Sequence, residues 1–449
     1  MGRSQGLEVS EARFAEYVDG LTSVIGHADR AAPLKGYCTG LLAAEGRRSV
    51  EPMAAVTAPA GVSAQHQKLL HFVANSTWSD SAVLAKVQEM VVPTIERHEP
   101  IQAWIIDDTS FPKQGKHSVG VHHQYCGQLG KQANCQVVVT LSIANHHASL
   151  PIAYQLYLPE EWAGDAERRR TARVPEEIVF KTKPEIALEQ VRAACAAGVA
   201  RGVVLMDASY GSNSALRYGI SALGLSYVAG IVPTIKVQAV SAGGAPGESL
   251  GPRVSAKELA LGLPSHAWRK VTWREGTNER LSSRFARVRV RTSPIRRAKE
   301  RAEETLLIEW PEGEEEPTKY WLSTLPESTS FRRLVDIAKM RSRIERDYQD
   351  LKQEIGLGHY EGRGWIGFHH HGTLCIAAYG FLVSERETIP PSGPSRAGCL
   401  AKPALPDRYR PRGAPDPDAT PPPQLDRHAP PQIGSRDSPN AAAMPLLRT

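Results

Sequence analysis

Two periodicities divide the chain. Over the first hundred residues apolar positions recur at helical spacing, in ARFAEYVDGL, QKLLHFVANSTW and AVLAKVQEMVV, which predicts a separate helical N-terminal domain or arm over residues 1–100. From about Gln102 the pattern changes to apolar runs rich in β-branched residues, AWIIDD, CQVVVTLSIA and LPIAYQLYL, which predict three successive strands. A helix-period stretch, EIALEQVRAACAAG, then leads into the strand-like VVLMD, and NSALRYGISALG followed by SYVAGIV repeats the alternation. Apolar strands alternating with amphipathic helices predict an α/β fold with a largely buried sheet, in the order β-β-β-α-β-α-β over residues 101–235.

The alternation stops at a Gly/Pro-rich loop, SAGGAPGESLGPR. The segments after it, AWRKVTWRE, RFARVRVRT, TLLIEW and KYWLST, predict a β-rich insertion over residues 236–327. A long helix from roughly Ser330 to Ile355 and the apolar stretch TLCIAAYGFLV close the packed part, residues 328–385. Beyond about Arg386, about half of the chain's 33 prolines fall in a polar tail, residues 386–449, with too little apolar surface to bury; disorder is expected there.

Composition narrows the class. A chain of 449 residues, 41% of them hydrophobic, can bury a large core. No stretch approaches the roughly 20 apolar residues that span a bilayer, and MGRSQGLEVSEARF lacks the apolar core of a signal peptide, so a cytoplasmic protein without membrane contact is expected. The six cysteines form no C-x-x-C pair, which argues against a zinc or redox site. His369, His370 and His371 are consecutive and cannot converge on one ion from a helix or a strand. GQLGKQ lacks the spacing of a phosphate-binding P-loop, and no G-x-S-x-G elbow exists for a serine nucleophile. The net charge of +6 is compatible with a nucleic-acid partner, and its distribution matters more than its sum.

Three carboxylate signals stand out. IIDDT puts Asp107 and Asp108 where a strand ends, and VVLMDASYG does the same for Asp207; in α/β sheets ligands bind at such ends. Taken singly, each is most simply a turn or capping aspartate. In MRSRIERDYQDLKQEIG, Arg341, Glu345, Tyr348 and Lys352 fall at i, i+4, i+7 and i+11 and share one helix face beside the apolar stripe of Ile344, Leu351 and Ile355. The plain alternative is an i,i+4 ion pair between Arg341 and Glu345. Two divalent cations about 4 Å apart need several oxygen ligands with one carboxylate shared, and an Asp, Asp, Glu set suits Mg²⁺ or Mn²⁺. Arg341 and Lys352 suit the phosphates of a substrate strand. Side-chain alternation sends Asp107 and Asp108 to opposite faces and does not choose between them.

The spacing of Arg341, Glu345 and Lys352, R-x3-E-x6-K, is similar to the signature helix of DDE transposases from bacterial insertion sequences. With DDT at Asp108, LMDASYG at Asp207 and IERDYQDLKQEIGLGHYEGRGW around Glu345, roughly residues 10 to 385 resemble the family named after insertion sequence 701, related to the insertion-sequence-4 group. The resemblance implies an RNase H-like catalytic core interrupted by the β-rich insertion. It also implies two Mg²⁺ or Mn²⁺ ions on Asp108, Asp207 and Glu345. It selects Asp108 over Asp107, because related enzymes carry the first aspartate immediately before a threonine, here Thr109. The implied activity is strand cleavage at element ends and strand transfer into target DNA, by a homodimer or larger assembly on double-stranded DNA, nucleoid-associated in a bacterial cytoplasm. One departure is visible: the related signature has a tyrosine three residues before the arginine, where this chain has Ala338.

Further DNA contacts are expected from charge. Arg287, Arg289 and Arg291 alternate with valines, so a strand sets all three on one face, a choice between DNA phosphates and solvent. Trp268 and Trp273 bracket Arg269 and Lys270 and suit either base stacking or, more simply, core packing. Gln67, Lys68, Asn75 and Trp78 are candidate contacts in the N-terminal helices. Lys113, Lys116 and His117 follow the first strand, in a loop that either holds the scissile strand or is simply solvated. Two rival functions remain: a catalytically inactive DNA-binding protein derived from a transposase, and a stand-alone metal-dependent nuclease.

Overall fold

The β-branched runs do form strands, and they join one sheet. The computed structural model describes residues 2–240, 250–274, 280–292 and 303–389, so the Pro-rich tail lies outside the described residues from 390 onward. The strands are β1 (Ala103–Pro112), β2 (His122–Cys126), β3 (Lys131–Ala144), β4 (Ser149–Leu156), β5 (Val203–Met206), β6 (Tyr227–Ile231), β7 (Lys236–Val240), β8 (Leu250–Ser255), β9 (Arg269–Arg274), β10 (Arg280–Arg291), β11 (Glu304–Trp310) and β12 (Lys319–Ser323). Their order is β2-β3-β1-β5-β6-β12-β11-β10-β7-β8, with β4 also on β3 and β9 on β10. β3 runs antiparallel to β1 and β4, whereas β1, β5 and β6 are mutually parallel. The fold is therefore mixed α/β around a large mixed sheet.

Residues 236–327 extend the same sheet rather than forming a second one: β12 pairs antiparallel with β6 from Tyr320↔Ile231 to Ser323↔Val228. This part is also fastened to the helix beyond it. The ammonium group of Lys339 lies 2.7 and 2.8 Å from the Glu309 carboxylate oxygens and 4.3 Å from the centre of the Trp273 ring, out of water. Trp268 packs edge-on against Trp310 with ring centres 5.2 Å apart, so both tryptophans that bracket the basic pair serve packing.

Among the described residues five α-helices and a 3-10 turn (Ala28–Arg30) precede β1: α1 (Gly2–Thr22), α2 (Ala31–Ala43), α3 (Val50–Thr57), α4 (Val62–Ala74) and α5 (Asp80–Ile95). The apolar faces of α1, α2, α4 and α5 close on the last described helix, α14 (Trp365–Thr388), which is buried along most of its length, while α3 packs on α2 and α4. Tyr17 donates to the Ala377 carbonyl at 2.8 Å, and Arg13 grips Glu385 at 2.6 Å. Gly380 permits the close approach of α5, since a Cβ there would stand 3.0 Å from Val87. Trp78, a candidate DNA contact by sequence, is buried here and stacks on His370 with ring centres 3.6 Å apart.

Between β4 and β5 lie α6 (Glu160–Ala163), α7 (Ala166–Ala172) and α8 (Lys183–Ala196), and between β5 and β6 lie α9 (Ala208–Gly211) and α10 (Ser214–Ala222). α11 (Ala256–Leu261) follows β8. The single helix expected from Ser330 to Ile355 is instead three pieces: α12 (Phe331–Met340), α13 (Arg343–Asp350) and one π turn (Leu351–Ile355), closed by Gly356 at φ 84°. The break falls at Arg341 and Ser342, where the Ser342 hydroxyl donates to the Lys339 carbonyl at 2.8 Å and competes with the helix ladder.

Candidate active site

Neighbouring parallel strands bring the aspartates together. Ile106 pairs with Met206, so Asp107 and Asp207 are the next residues along β1 and β5. Asp207 is also the N-cap of α9, and its Oδ1 accepts from the Ser209 amide at 3.0 Å, the Ser209 hydroxyl at 2.7 Å and the Tyr210 amide at 3.2 Å. The capping role is thus real, yet it occupies one oxygen. A Cβ on Gly230 would stand 3.0 Å from Asp207 C and Ala208 N, so a glycine in β6 is what lets the turn seat so close to the sheet.

Asp107 and Asp108 face opposite ways, as alternation requires. The Asp107 carboxylate takes Arg341 Nη1 at 2.7 Å, while Asp108 Oδ2 takes Lys183 Nζ at 2.8 Å. Burial pushes Asp107 up to about 6 against the pull of Arg341, and the Asp207 charge pushes the same way. Tyr210 is raised well above its usual range by burial, with further contributions from Asp108, Asp107 and Asp207, so all three aspartates lie around one phenol.

Arg341, at the break after α12, joins this group to Glu345. Its Nη2 lies 3.1 Å from Glu345 Oε1 while Nη1 holds Asp107, which makes it a bridge between strand and helix. The simple i,i+4 pair is therefore present, and it is half of a larger contact. The Glu345 side chain is 63% exposed, and Tyr348 turns into the core. Lys352, in the π turn, donates to the Ser110 carbonyl at 3.1 Å, and burial lowers its ammonium group below the usual lysine range. A π turn of this kind often marks a functional position.

Buried hydrogen bonds seat the helix that carries Glu345. Asp347 accepts from Ser149 of β4 and, at 2.8 Å, from Tyr379 of α14. Among the described residues no three His, Cys, Asp or Glu side chains already form a closed metal cage. Arg341 and Lys183 instead hold the carboxylates.

The other sequence candidates are dispersed. Lys113 stays near the end of β1 and donates to the Tyr360 carbonyl at 3.0 Å, and Lys116 is exposed beyond it. Arg287, Arg289 and Arg291 lie on β10, with four strands between it and β1. Arg287 is exposed and donates to the Thr329 carbonyl at 2.9 Å, whereas Arg289 and Arg291 lie 3.7 and 3.0 Å from Glu303. Gln67, Lys68 and Asn75 line an open groove with His27, Arg30 and His71. Sequence reasoning missed Lys183 and Tyr210; the signal for Lys183 was a cation in the first turn of a helix, where acids are favoured.

Residues 20–280, more than half of the chain, match the family described as DDE superfamily endonuclease, and the chain belongs to that family. It is also similar to the probable transposase for insertion sequence element IS701 of Microchaete diplosiphon, with 29% identity over 168 residues. That match covers 37% of this chain and 40% of the relative's length. No described helix is long and apolar enough to cross a membrane.

Proposed function

We propose that this chain is an insertion-sequence transposase that cuts DNA at element ends, using divalent metal ions held by Asp108, Asp207 and Glu345, and transfers the freed strand into target DNA. The observation that carries this reading is the meeting of aspartates at adjacent parallel strand ends, with a glutamate tied by Arg341 to one of them, Asp107, beside Asp108 and Asp207. The family membership and the similarity to a probable transposase support it. The strand order β4-β3-β1-β5-β6, antiparallel then parallel, supports an RNase H-like core over residues 101–235 and 328–385, with residues 236–327 inserted and residues 1–100 contributing to DNA binding. The working form is a homodimer or larger assembly on double-stranded DNA, nucleoid-associated in the cytoplasm.

The donor set fits Mg²⁺ or Mn²⁺. It offers carboxylate oxygens only, and such ions complete their shells with water and substrate phosphate rather than needing a closed protein cage. Two ions bound there supply an activated water and neutralise charge at the phosphorus. The chain's own part is positioning: the Asp207 carboxylate is fixed through Oδ1 by the turn it caps, and Arg341 and Lys352 stand beside the carboxylates, where the phosphates of the cut strand pass. Lys113 and Lys116 extend that cationic path beyond β1. The rate gain comes from placement and charge neutralisation, without covalent attack by the protein.

The test uses DNA carrying the terminal repeats, with Mg²⁺. Asp207→Asn and Glu345→Gln are expected to lose cleavage by several orders of magnitude while still binding the ends, because each removes a metal charge and spares the fold. Near wild-type cleavage by either variant sinks the three-carboxylate site. Cleavage without any joined product in a target plasmid would favour the stand-alone nuclease instead.

A further inference from the structure

Lys183 stands where helix chemistry disfavours it. It opens α8 directly after the N-cap Thr182, in a capping box in which Glu185 accepts from the Thr182 amide at 2.8 Å. The positive end of the helix dipole repels a cation there, typically by a few tenths to 1 kcal/mol. The helix is also fixed in space: two turns further along the same face, Gln190 donates at 2.9 Å to the Val139 carbonyl, and Val139 is the register partner of Asp108. From this anchored origin the Lys183 side chain runs past the Tyr157 ring, 5.9 Å from its centre, and ends 2.8 Å from Asp108 Oδ2. Both partners are about one-third exposed, so the pair is open to solvent and exchangeable.

We propose that Lys183 is an exchangeable counter-ion of the cleavage site, neutralising Asp108 until a divalent cation displaces it and its ammonium group turns to a phosphate of the bound DNA. This rests on the transposase reading and adds to it a residue that competes with metal and later serves substrate. Arg341 acts in parallel on Asp107 and Glu345, but its bidentate fork is held by two carboxylates, whereas Lys183 gives one exchangeable contact.

The discriminating measurement is metal affinity without DNA. Mn²⁺ is titrated calorimetrically into wild type, Lys183→Gln, Lys183→Arg and Asp207→Asn, with circular dichroism as the folding control. Removing a competitor tightens metal binding, so Lys183→Gln is expected to bind Mn²⁺ about tenfold more tightly, a factor equal to about 1.4 kcal/mol. Lys183→Arg stays near wild type. In EDTA the DNA affinity of Lys183→Gln is expected to match wild type. In Ca²⁺ it is weaker, and the slope of log K against log salt is smaller by about 0.9, one phosphate contact. Unchanged or weaker Mn²⁺ binding by a folded Lys183→Gln overturns the proposal and leaves the transposase reading intact. Absence of Mn²⁺ binding by wild type, or full binding by Asp207→Asn, overturns the metal-site reading, and the counter-ion role falls with it.

Discussion

Two adjacent carboxylates compete for one role at the end of β1. Asp107 stands next to Asp207 in the strand register and shares Arg341 with Glu345, which draws it toward the helix that carries the glutamate. Asp108 is less buried, with its side chain 31% exposed against 20% for Asp107, and it is held by a single ammonium group. A metal ligand must have oxygens it can free: Glu345 is 63% exposed and meets Arg341 at 3.1 Å through one oxygen, and Asp108 meets one lysine, whereas the more buried Asp107 carries the shorter, 2.7 Å contact with the guanidinium. Asp108→Asn is therefore expected to abolish Mg²⁺-dependent nicking of an end-containing duplex. Asp107→Asn is expected to lower it only about ten- to a hundredfold, by releasing Arg341, within the range typical when a group that orients a metal ligand is lost. A dead Asp107→Asn beside an active Asp108→Asn transfers the metal role to Asp107.

At the scale of elements, β10 shows how a charge pattern changes meaning once the chain folds. The alternation of Arg287, Arg289 and Arg291 does lie along one strand, but Glu303, just before the antiparallel partner β11, meets two of the three. An arginine already paired with a carboxylate neutralises no phosphate and so frees no counter-ion when DNA binds; replacing all three by Gln should therefore reduce the slope of log K against log salt by about 0.9, one contact, rather than the roughly 2.7 of three free arginines. Filter-binding between low and moderate salt measures it, and a drop near the larger value would mean that Glu303 lets go on binding. The same limit governs what the chain discloses before folding. The strands predicted from AWIIDD, CQVVVTLSIA and VVLMD form because burial on both faces demands continuous apolar runs. β2 is hidden because HHQYC is half exposed and is held by pairing to the polar start of β3, which no local periodicity reports. The break after α12 depends on a serine hydroxyl that helical spacing does not register. Lys183 meets Asp108 across 75 residues, a contact that only the sheet and its covering helix create.

Across the whole molecule, α14 fastens the N-terminal helices and the sheet to one another through three consecutive buried histidines. His369 accepts from the Leu156 amide of β4 at 3.1 Å while its other ring nitrogen faces the Trp365 carbonyl at 3.0 Å. His371 lies between the Tyr37 hydroxyl of α2 at 2.8 Å and the Gly356 carbonyl at 2.9 Å. His370 meets the Val73 and Trp78 carbonyls, each at 3.1 Å. Burial lowers all three to about 4. Because the unfolded chain binds protons near 6.5 and the folded one only near 4, the stability these rings give is complete above about pH 6.5 and is lost as pH falls through 4. Three carboxylates act oppositely: loss of hydration raises Asp80 to about 7 and Asp107 and the buried Asp347 to about 6, so their ionisation costs stability as pH rises. The two sets offset each other, and the wild-type profile alone carries little information. The difference between wild type and His369→Gln isolates one ring, since Gln keeps an acceptor for the Leu156 amide but does not titrate. Measured by urea unfolding, the advantage of wild type over this variant should shrink by about 2–3 kcal/mol between pH 7 and pH 4, at 1.36 kcal/mol per unit of pKa difference. A difference that stays constant over that range would mean that the folded and unfolded chains protonate His369 equally, and a difference that grows would mean that the ring is already charged in the fold; either shows that its bond to Leu156 is not the one described.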